Sequence, residues 1–304
     1  MKPESFDPGL TTQFSGELRR TINADGSFNV RRTGLKLRHS NVYLMLIDTT
    51  WPRFLAAVLV IFLAVNMLFA GIYLAVGIEH LQGTEVEMGA FLNAFFFSVH
   101  TLTTVGYGNV FPRGTPSNAV AAIEAATGLM IFALATGLLY GRFSRPSAKI
   151  LFSQRALIAP YQDGTSLQFR ITNARSNVLM DLEARVLLMS VSRAGGELKR
   201  NYVDLRLERR HVYFFPLTWT VVHPIDSESP LSGKTADDLR ALEAELLILI
   251  KGFDDTFSQL VHAQYSYRHD EILWGARFVP AFHVDRNGDL VLDVNRVGEL
   301  KMVG

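Results

Sequence analysis

Two long apolar runs occupy the first half of the chain, and short alternating runs fill the second half. The first run, residues 54–76, is interrupted by Asn66, and the second, residues 119–140, contains the single charge of Glu124. At a helical rise of about 1.5 Å per residue, each run is long enough to cross the roughly 30 Å hydrocarbon core of a bilayer. A third apolar stretch, residues 90–103, is too short to cross. The pattern therefore predicts two membrane-spanning helices with a re-entrant helix between them.

The residues before the first span are predicted to form two segments. Residues 1–40 are polar without apolar periodicity, which favours a cytoplasmic N-terminal segment and not a signal peptide, because the first apolar run begins too late. Residues 41–53 mix apolar and polar positions and end in Trp51-Pro52, which favours an amphipathic helix at the membrane surface. An amphipathic helix packed on protein fits the same pattern.

The charges that flank the spans predict the orientation of the chain. The segment between the spans, residues 77–118, carries three glutamates against a single arginine. A basic linker, residues 141–149, follows the second span. Cytoplasmic flanks are enriched in lysine and arginine, so both termini are predicted to be cytoplasmic. The basic linker residues also suit anionic phospholipid headgroups, although plain topology explains one or two of them; they are Arg142, Arg145 and Lys149.

Short runs of alternating polarity dominate residues 150–304. Seven or more strand candidates at this spacing are typical of a β-sandwich. Asn287-Gly288 lies between two such runs and predicts a hairpin turn, and residues 235–244 predict a helix with Thr235 as its N-cap. The strand candidates are residues 167–171, 182–191, 202–207, 219–223, 245–251, 261–267, 272–278, 281–284 and 290–294.

Composition and missing motifs narrow the classes of function. The 30 Lys and Arg residues nearly balance the 29 Asp and Glu residues, so the net charge of +1 gives no reason to expect a nucleic-acid partner. The absence of cysteine excludes a disulfide scaffold, a cysteine nucleophile and a thiolate metal site. No GxGxxG or phosphate-binding loop occurs, and the acidic run from Asp285 lacks the glycine and glutamate of a calcium loop. The prediction is a membrane protein that is not an enzyme and has no cofactor.

A glycine-containing run, residues 104–108, follows the short apolar stretch of residues 90–103. K⁺ loses its hydration shell only where carbonyl oxygens replace it, and glycine permits the backbone angles that point successive carbonyls one way. One such strand cannot enclose an ion, so four copies around a fourfold axis are predicted. The run is typical of a potassium selectivity filter, and the predicted K⁺ ligands are Thr104, Val105, Gly106, Tyr107 and Gly108.

Residues around this run are candidates for supporting or gating roles. Glu124 is an acid inside a span, and a hydrogen-bonding scaffold behind the filter is favoured for it over a position lining the ion path; Thr103 is a second predicted support. Gly128 is either a gating hinge or a small residue for close helix packing. Phe132 and Tyr140 lie eight residues apart on one helix face, where four copies of each ring would either close a pore or serve ordinary packing.

Several motifs resemble those of inward-rectifier potassium channels of the bacterial branch, and the resemblance covers residues 40–297. It implies two membrane-spanning helices with a pore helix and filter, followed by an immunoglobulin-like cytoplasmic β-sandwich, in a homotetramer in the bacterial inner membrane. The motifs are Trp51-Pro52, the filter, Gly141-Arg142-Phe143-Ser144-Arg145-Pro146, Trp219-Thr220-Val221-Val222-His223-Pro224-Ile225-Asp226, Ser229-Pro230-Leu231 and Glu271-Ile272-Leu273-Trp274-Gly275.

The resemblance also implies roles for individual residues. Gly128 falls at the hinge glycine and Tyr140 at the gate of the inner helices. Phe132 replaces an acid that holds Mg²⁺ or polyamine blockers in strongly rectifying members, so weak rectification is expected. His100 stands where many members carry a pore-helix glutamate that forms a salt bridge behind the filter. His100 is a predicted filter support, and Glu124 is expected to take the place of the missing glutamate. A second, cytoplasmic constriction is expected at Phe257, Ser258, Gln259, Leu260 and Val261, and modulation by anionic lipids is expected.

Two other interpretations compete with a lipid-modulated K⁺ channel. A two-span channel with a nucleotide-sensing domain is disfavoured by the dominance of short strands and the lack of GxGxxG. A membrane-anchored β-sandwich binding protein with a non-conducting pore is disfavoured by the intact filter residues.

Overall fold

The computed structural model describes residues 8–10, 13–14, 20–31, 33–34, 42–144, 149–194 and 197–303. Contacts divide these residues into two compact units. Following the sequence predictions, we call the described residues within 32–145 the pore unit and those within 1–31 and 146–304 the cytoplasmic unit. Arg145, one of the predicted lipid contacts, lies outside the described residues, as does Asn41 at the start of the predicted surface helix.

Long apolar sequences form the helices of the pore unit. The second and fourth helices are long and apolar enough to cross a membrane, whereas the third is a short apolar helix, as the hydrophobic pattern predicts. A short 3₁₀ turn, Ile78–His80, follows the second helix. The helices are α1 (Val42–Asp48), α2 (Trp51–Val76), α3 (Ala90–Leu102), α4 (Thr115–Phe143) and, in the cytoplasmic unit, α5 (Ala236–Ala241).

The surface helix ends earlier than the sequence predicts. The prediction placed Trp51-Pro52 at its end, but α1 ends at Asp48 and Trp51 begins α2. Proline has no backbone N–H. In the first turn of a helix the backbone N–H groups have no carbonyl partner within the helix, so proline costs no hydrogen bond there, and Pro52 begins a helix instead of ending one. The predicted bounds of both spans were also too narrow, because α2 begins at Trp51 and α4 covers Thr115–Phe143.

Seventeen strands occur within the described residues. All but two belong to the cytoplasmic unit; β2 and β3 pair in the pore unit. The strands are β1 (Gln13–Phe14), β2 (Leu81–Gln82), β3 (Phe111–Pro112), β4 (Ile150–Phe152), β5 (Ala156–Tyr161), β6 (Gly164–Asn173), β7 (Leu179–Ala194), β8 (Glu197–Asp204), β9 (His211–Phe214), β10 (Thr218–Ile225), β11 (Glu245–Asp254), β12 (Gln259–Arg268), β13 (Ile272–Trp274), β14 (Ala276–Phe278), β15 (Phe282–Val284), β16 (Leu290–Leu292) and β17 (Leu300–Met302).

Two sheets form the β-sandwich of the cytoplasmic unit. One has the order β1-β8-β7-β11-β12 with β9 on β7, and the other has the order β10-β6-β5-β13 with β4 on β6. Alternate residues of β6, β7 and β11 are buried in a shared core that includes Phe169, Leu182 and Leu246. This period of two is the signal that predicts the strands, and the sandwich predicted from it is confirmed.

The structure differs locally from three predicted elements. The run 272–278 is two strands, because Gly275 has a φ of 68° and breaks the extended backbone. Of the run 202–207, only residues 202–204 lie in a strand, because β8 ends at Asp204. Helix α5 is shorter than residues 235–244, but it begins with the predicted cap, in which Thr235 and Asp238 form a reciprocal capping box.

Part of the polar N-terminal segment packs on the sandwich. Strand β1 pairs with β8. The Arg20 guanidinium donates to Ser266 Oγ at 2.9 Å and to Glu271 at 3.1 Å, and the Thr21 hydroxyl donates to the buried carboxylate of Glu245 at 2.8 Å. Hydrogen bonds that involve charged side chains therefore attach the segment to the sandwich. The periodicity of apolar residues gives no information about such bonds.

Candidate functional site

The run predicted to be a filter forms a loop directly after α3. The backbone carbonyl of His100 accepts hydrogen bonds from the amides of Val105 at 2.9 Å and Gly106 at 3.3 Å. These bonds hold the first turn of the loop against the end of the helix. Thr103 directs its hydroxyl back to the Val99 carbonyl at 2.6 Å, so this predicted support stabilises the end of its own helix.

The backbone of the loop alternates in handedness. Thr104, Gly106 and Gly108 have φ values of 60°, 53° and 81°, whereas the intervening Val105 and Tyr107 do not have positive φ. This alternation turns every second peptide plane, so that successive carbonyls can point to the same side of the strand. A positive φ is costly for threonine, and at Thr104 it serves this alternation.

The side chains of Val105 and Tyr107 are largely exposed in the single chain. Tyr107 packs edge-on against the His100 ring, with the ring centroids 4.8 Å apart. In the single chain Val105 is 51% exposed and Tyr107 is 74% exposed. Among the described residues, no group of three or more His, Asp or Glu side chains is placed to hold a metal ion. The backbone carbonyls of residues 104–108 stay the candidate cation ligands that the sequence predicts.

A buried polar cluster lies behind α3. Glu124 of α4 is fully buried and accepts a hydrogen bond from the Tyr73 hydroxyl of α2 at 2.6 Å. Its other carboxyl oxygen bonds to the hydroxyl of Ser98 on α3, and Ser98 bonds to Asn66 of α2 at 3.0 Å. The sequence singled out Glu124 and Asn66 as polar residues within the spans, but it gave no signal for Tyr73 and Ser98, whose partners are distant along the chain.

The predicted gate residues are not brought together in one chain. Phe132 and Tyr140 on α4 are 73% and 74% exposed. Gly128 is buried, and it packs against the C-terminal end of α3. The gate residues therefore lie on an uncovered part of α4, whereas Gly128 lies at a helix–helix contact.

Arg142, a predicted lipid contact at the end of α4, bonds to backbone carbonyls in the same unit. Its guanidinium donates to the carbonyls of Leu46, Ile47 and Thr49 at 2.5, 2.9 and 2.8 Å, and it lies over the ring of Trp51 at 4.7 Å. These carbonyls belong to the last turn of α1 and the residues after it, where helix carbonyls lack internal partners.

Comparison with known proteins assigns the chain to a family. The profile of the inward rectifier potassium channel C-terminal domain matches residues 150–304, and an ion channel profile matches residues 56–145. The inward rectifier potassium channel Kirbac3.1 of Paramagnetospirillum magnetotacticum is 38% identical over 286 residues, which cover 92% of this chain and 95% of that protein.

The chain belongs to the inward rectifier potassium channel family. Animal relatives are more distant. ATP-sensitive inward rectifier potassium channel 11 of Cavia porcellus is 27% identical and covers 89% of this chain and 74% of that protein. ATP-sensitive inward rectifier potassium channel 12 of Bos taurus is 26% identical, and the match covers 88% of this chain and 68% of that protein. The predicted resemblance is confirmed, and the chain is a membrane protein.

In this inward rectifier family member, the predicted cytoplasmic constriction falls on the end of the turn between β11 and β12 and on the first three residues of β12. Asp254 is buried and accepts from the amides of Thr256 at 3.0 Å and Phe257 at 3.4 Å, which fixes the turn. Ser258 has a φ of 49°. Leu260 is exposed, but Val261 is buried in the sandwich core. Adjacent strand residues point to opposite faces, so Val261 cannot line a constriction with Leu260, and its predicted role was wrong.

Proposed function

We propose that four copies of this chain form a potassium channel that conducts K⁺ passively through residues 104–108. The observation that carries the proposal is the alternating backbone of this run at the end of α3, between two helices long enough to cross a membrane. Membrane-embedded backbone outside regular structure is tolerated only where it is buried in protein or lines a polar path. A line of carbonyls between two spans meets that condition.

The chemistry of dehydration explains potassium as the permeant ion. Carbonyl oxygens of Thr104, Val105, Gly106 and Tyr107 would replace the water around K⁺, with the Thr104 hydroxyl as a further oxygen at the inner end. The C-terminal end of α3 carries a partial negative charge that favours a cation in the adjoining cavity. No cofactor takes part.

A tetramer follows from the incompleteness of one chain. A single strand supplies carbonyls on one side of an ion, and the large exposed fractions of Val105 and Tyr107 leave apolar surface for neighbouring copies to cover. Closed rotational symmetry is the usual arrangement of identical subunits. Fourfold symmetry would surround each ion with four equivalent carbonyls.

The gate and its regulation follow from position along the chain. Exposed Tyr140 and Phe132 would face the axis in the tetramer and narrow the pore near its cytoplasmic end. Residues 257–260, of which Ser258, Gln259 and Leu260 are exposed, would form a second constriction. Lys149 is exposed and would contact anionic phospholipids. Both termini would be cytoplasmic in the bacterial inner membrane, in keeping with the excess of arginine and lysine after α4.

The test is cation uptake into liposomes that contain the purified protein. K⁺ uptake well above Na⁺ uptake is expected, together with a tetramer by native mass spectrometry. Gly106→Ala should abolish uptake, because alanine is strained at a φ of 53°. Gly233→Ala is the matched control, since Gly233 also has a positive φ and open space but lies in the cytoplasmic unit.

Absence of uptake would leave a closed gate or a non-conducting binding protein. Tyr140→Ala separates these two, because removing the ring should start conduction only in a closed channel. A tetramer that stays silent with this substitution would contradict the proposed function.

A further inference from the structure

The polar cluster behind α3 joins three helices through direct side-chain hydrogen bonds. Asn66 and Tyr73 come from α2, Ser98 from α3 and Glu124 from α4. Asn66, Ser98 and Glu124 have no exposed surface, and Tyr73 is 1% exposed. Every polar atom in such a place must find its hydrogen-bond partner inside the cluster. The positions of the donors and acceptors can therefore be followed from one residue to the next.

The hydrogen bonds can be followed from a backbone carbonyl, which can only be an acceptor. The Phe62 carbonyl can only accept, and the Asn66 side chain lies 2.7 Å from it, so the amide nitrogen of Asn66 must face this carbonyl. The amide oxygen of Asn66 then faces Ser98 Oγ at 3.0 Å. Exchanging the nitrogen and oxygen of Asn66 would set two acceptors against each other at 2.7 Å, so the flipped amide is excluded.

Ser98 has one hydroxyl proton and two oxygen neighbours. Because the Asn66 oxygen can only accept, that proton points to Asn66, and Ser98 Oγ must accept from its other neighbour. That neighbour is the Glu124 carboxyl, whose bond to Ser98 is very short. An ionised carboxylate has no proton to donate. The remaining Glu124 oxygen accepts from Tyr73, as the carbonyl oxygen of a carboxylic acid does.

We propose that Glu124 is a neutral carboxylic acid that donates its proton to Ser98 and so acts as a positioning residue for the filter. The effect of Glu124 on the filter rests on the proposed function, whereas the protonation of Glu124 does not. Ser98 lies two residues before His100, whose carbonyl holds the Val105 and Gly106 amides. Bonds that fix α3 to α2 and α4 therefore fix the point from which the filter starts.

The charged surroundings agree with a neutral acid. Within the described residues, the ionisable side chains of α2, α3 and α4 are few, and Tyr73 alone among them bonds to Glu124. No ion pair of Glu124 with a cationic side chain occurs in this part of the chain. An unpaired buried charge is costly, whereas a protonated acid with two hydrogen bonds is not. These ionisable side chains are Arg53, Tyr73, His100, Glu124, Tyr140 and Arg142.

Infrared spectroscopy of the reconstituted protein tests the proton directly. The carbonyl stretch of a protonated carboxyl is separate from the bands of carboxylates. We expect this band at neutral pH in the unaltered protein, with a shift in D₂O, and its loss in Glu124→Gln. A Glu124-dependent carboxylate band with no protonated carboxyl band would overturn the proposal. This readout does not need conduction, so failure of the proposed function would leave it interpretable.

The dependence of K⁺ uptake on pH tests the positioning role. The side-chain amide introduced by Glu124→Gln keeps an acceptor for Tyr73 and a donor for Ser98, so uptake by this variant should match the unaltered channel at neutral pH. Glu124→Ala should lose uptake. Ser117→Ala is the matched control, since Ser117 is equally buried but bonds to the Arg113 carbonyl outside the cluster. It should retain uptake.

Ionising Glu124 would turn the Ser98 proton away from Asn66 and leave two acceptors facing each other. Uptake by the unaltered channel should therefore stay constant at neutral and acidic pH and fall only under alkaline conditions, and this fall should be absent in Glu124→Gln. Uptake that stays constant although the protonated carboxyl band disappears at alkaline pH would overturn the positioning role. A fall on acidification that Glu124→Gln removes would overturn it, because an ionised carboxylate would then be the working form.

Discussion

Gly128 of α4 packs directly on the backbone of Leu102, the last residue of α3: a β-carbon at Gly128 would lie 2.1 Å from the Leu102 carbonyl oxygen. This contact explains the glycine by close packing of two helices, one of the two roles that the sequence left open. Because α3 ends at this point and the loop of residues 104–108 starts just after it, the contact also bears on the filter.

Substituting Gly128 should therefore damage the pore unit. Gly128→Ala forces α4 away from α3, and overpacking of this kind costs about 1–3 kcal/mol. We expect a lower unfolding temperature in detergent and reduced K⁺ uptake in liposomes. Gly137→Ala, in the same helix with no atom near its β-carbon position, should be neutral. If Gly128→Ala kept the stability of the unaltered protein while changing only gating, a hinge role would explain Gly128 better.

Arg142 is predicted to stabilise the pore unit in any lipid. Its guanidinium bonds to three carbonyls in the last turn of α1 and just after it, and such charged hydrogen bonds are worth about 1.5–3 kcal/mol. Arg142→Ala should lower the unfolding temperature in neutral detergent, and Arg142→Lys should restore only part of it, since lysine cannot reproduce the planar fork of donors.

The control for Arg142 is Arg53→Ala, since Arg53 is exposed in the same unit. Lys149→Ala should leave stability unchanged and weaken the response to anionic lipid, measured as K⁺ uptake across liposomes of increasing anionic content. An Arg142→Ala protein that is fully stable but insensitive to anionic lipid would return Arg142 to the lipid-contact role that the sequence suggests.

The hydrophobic pattern was sufficient to predict the helices that cross the membrane, because burial in lipid requires long apolar sequences whatever the tertiary structure. It was not sufficient at Trp51-Pro52, where proline can end one helix or begin the next. The burial of Glu124 could be expected from its place in a span. Its partners Tyr73 and Ser98 could not, because they lie 51 and 26 residues away and resemble ordinary helix residues.

In the cytoplasmic unit, too, the sequence predicted the regular elements but not the contacts between residues far apart in the chain. Period-two burial predicted β6, β7 and β11, since each strand has one face in the core. The attachment of residues 20–31 was missed because it depends on ion pairs and hydrogen bonds between residues far apart in the chain, such as Thr21 with Glu245. The inclusion of Val261 in a constriction failed for a local reason: the motif gave the position of the turn but not which face of the following strand is buried.

Phe132 is predicted to limit block by polycations. The ring is 73% exposed in the single chain and offers no negative charge to spermine or Mg²⁺. Phe132→Asp would place four carboxylates around the axis of a tetramer, so block by spermine from the cytoplasmic side should become stronger and steeper with voltage. Phe132→Asn is the control for size and polarity and should not show this gain. Equal block in all three proteins, measured in planar bilayers, would contradict the placement of Phe132 in the pore.

His223 is predicted to make the cytoplasmic unit sensitive to acid. Burial lowers the pKa of His223, and its ring is held between the Arg206 carbonyl at 2.6 Å and Ser229 Oγ at 2.8 Å. The neutral ring can donate to the carbonyl from Nδ1 and accept from the hydroxyl at Nε2. The His223 ring therefore binds a second ring proton more weakly in the folded protein than in the unfolded chain, where histidine has a pKa of about 6.5.

The sign of the effect follows from this difference. Above the pKa of the unfolded chain the ring is neutral in both states and His223 adds no pH dependence; below it the unfolded chain gains a proton and the folded state loses stability. The unfolding temperature of the full-length protein, followed by tryptophan fluorescence, should fall as the pH drops below about 6.5. His223→Gln should be less stable at neutral pH but show a flatter profile, whereas His211→Gln, at an exposed site, should keep the profile of the unaltered protein. An unchanged acid dependence in His223→Gln would assign it to other groups.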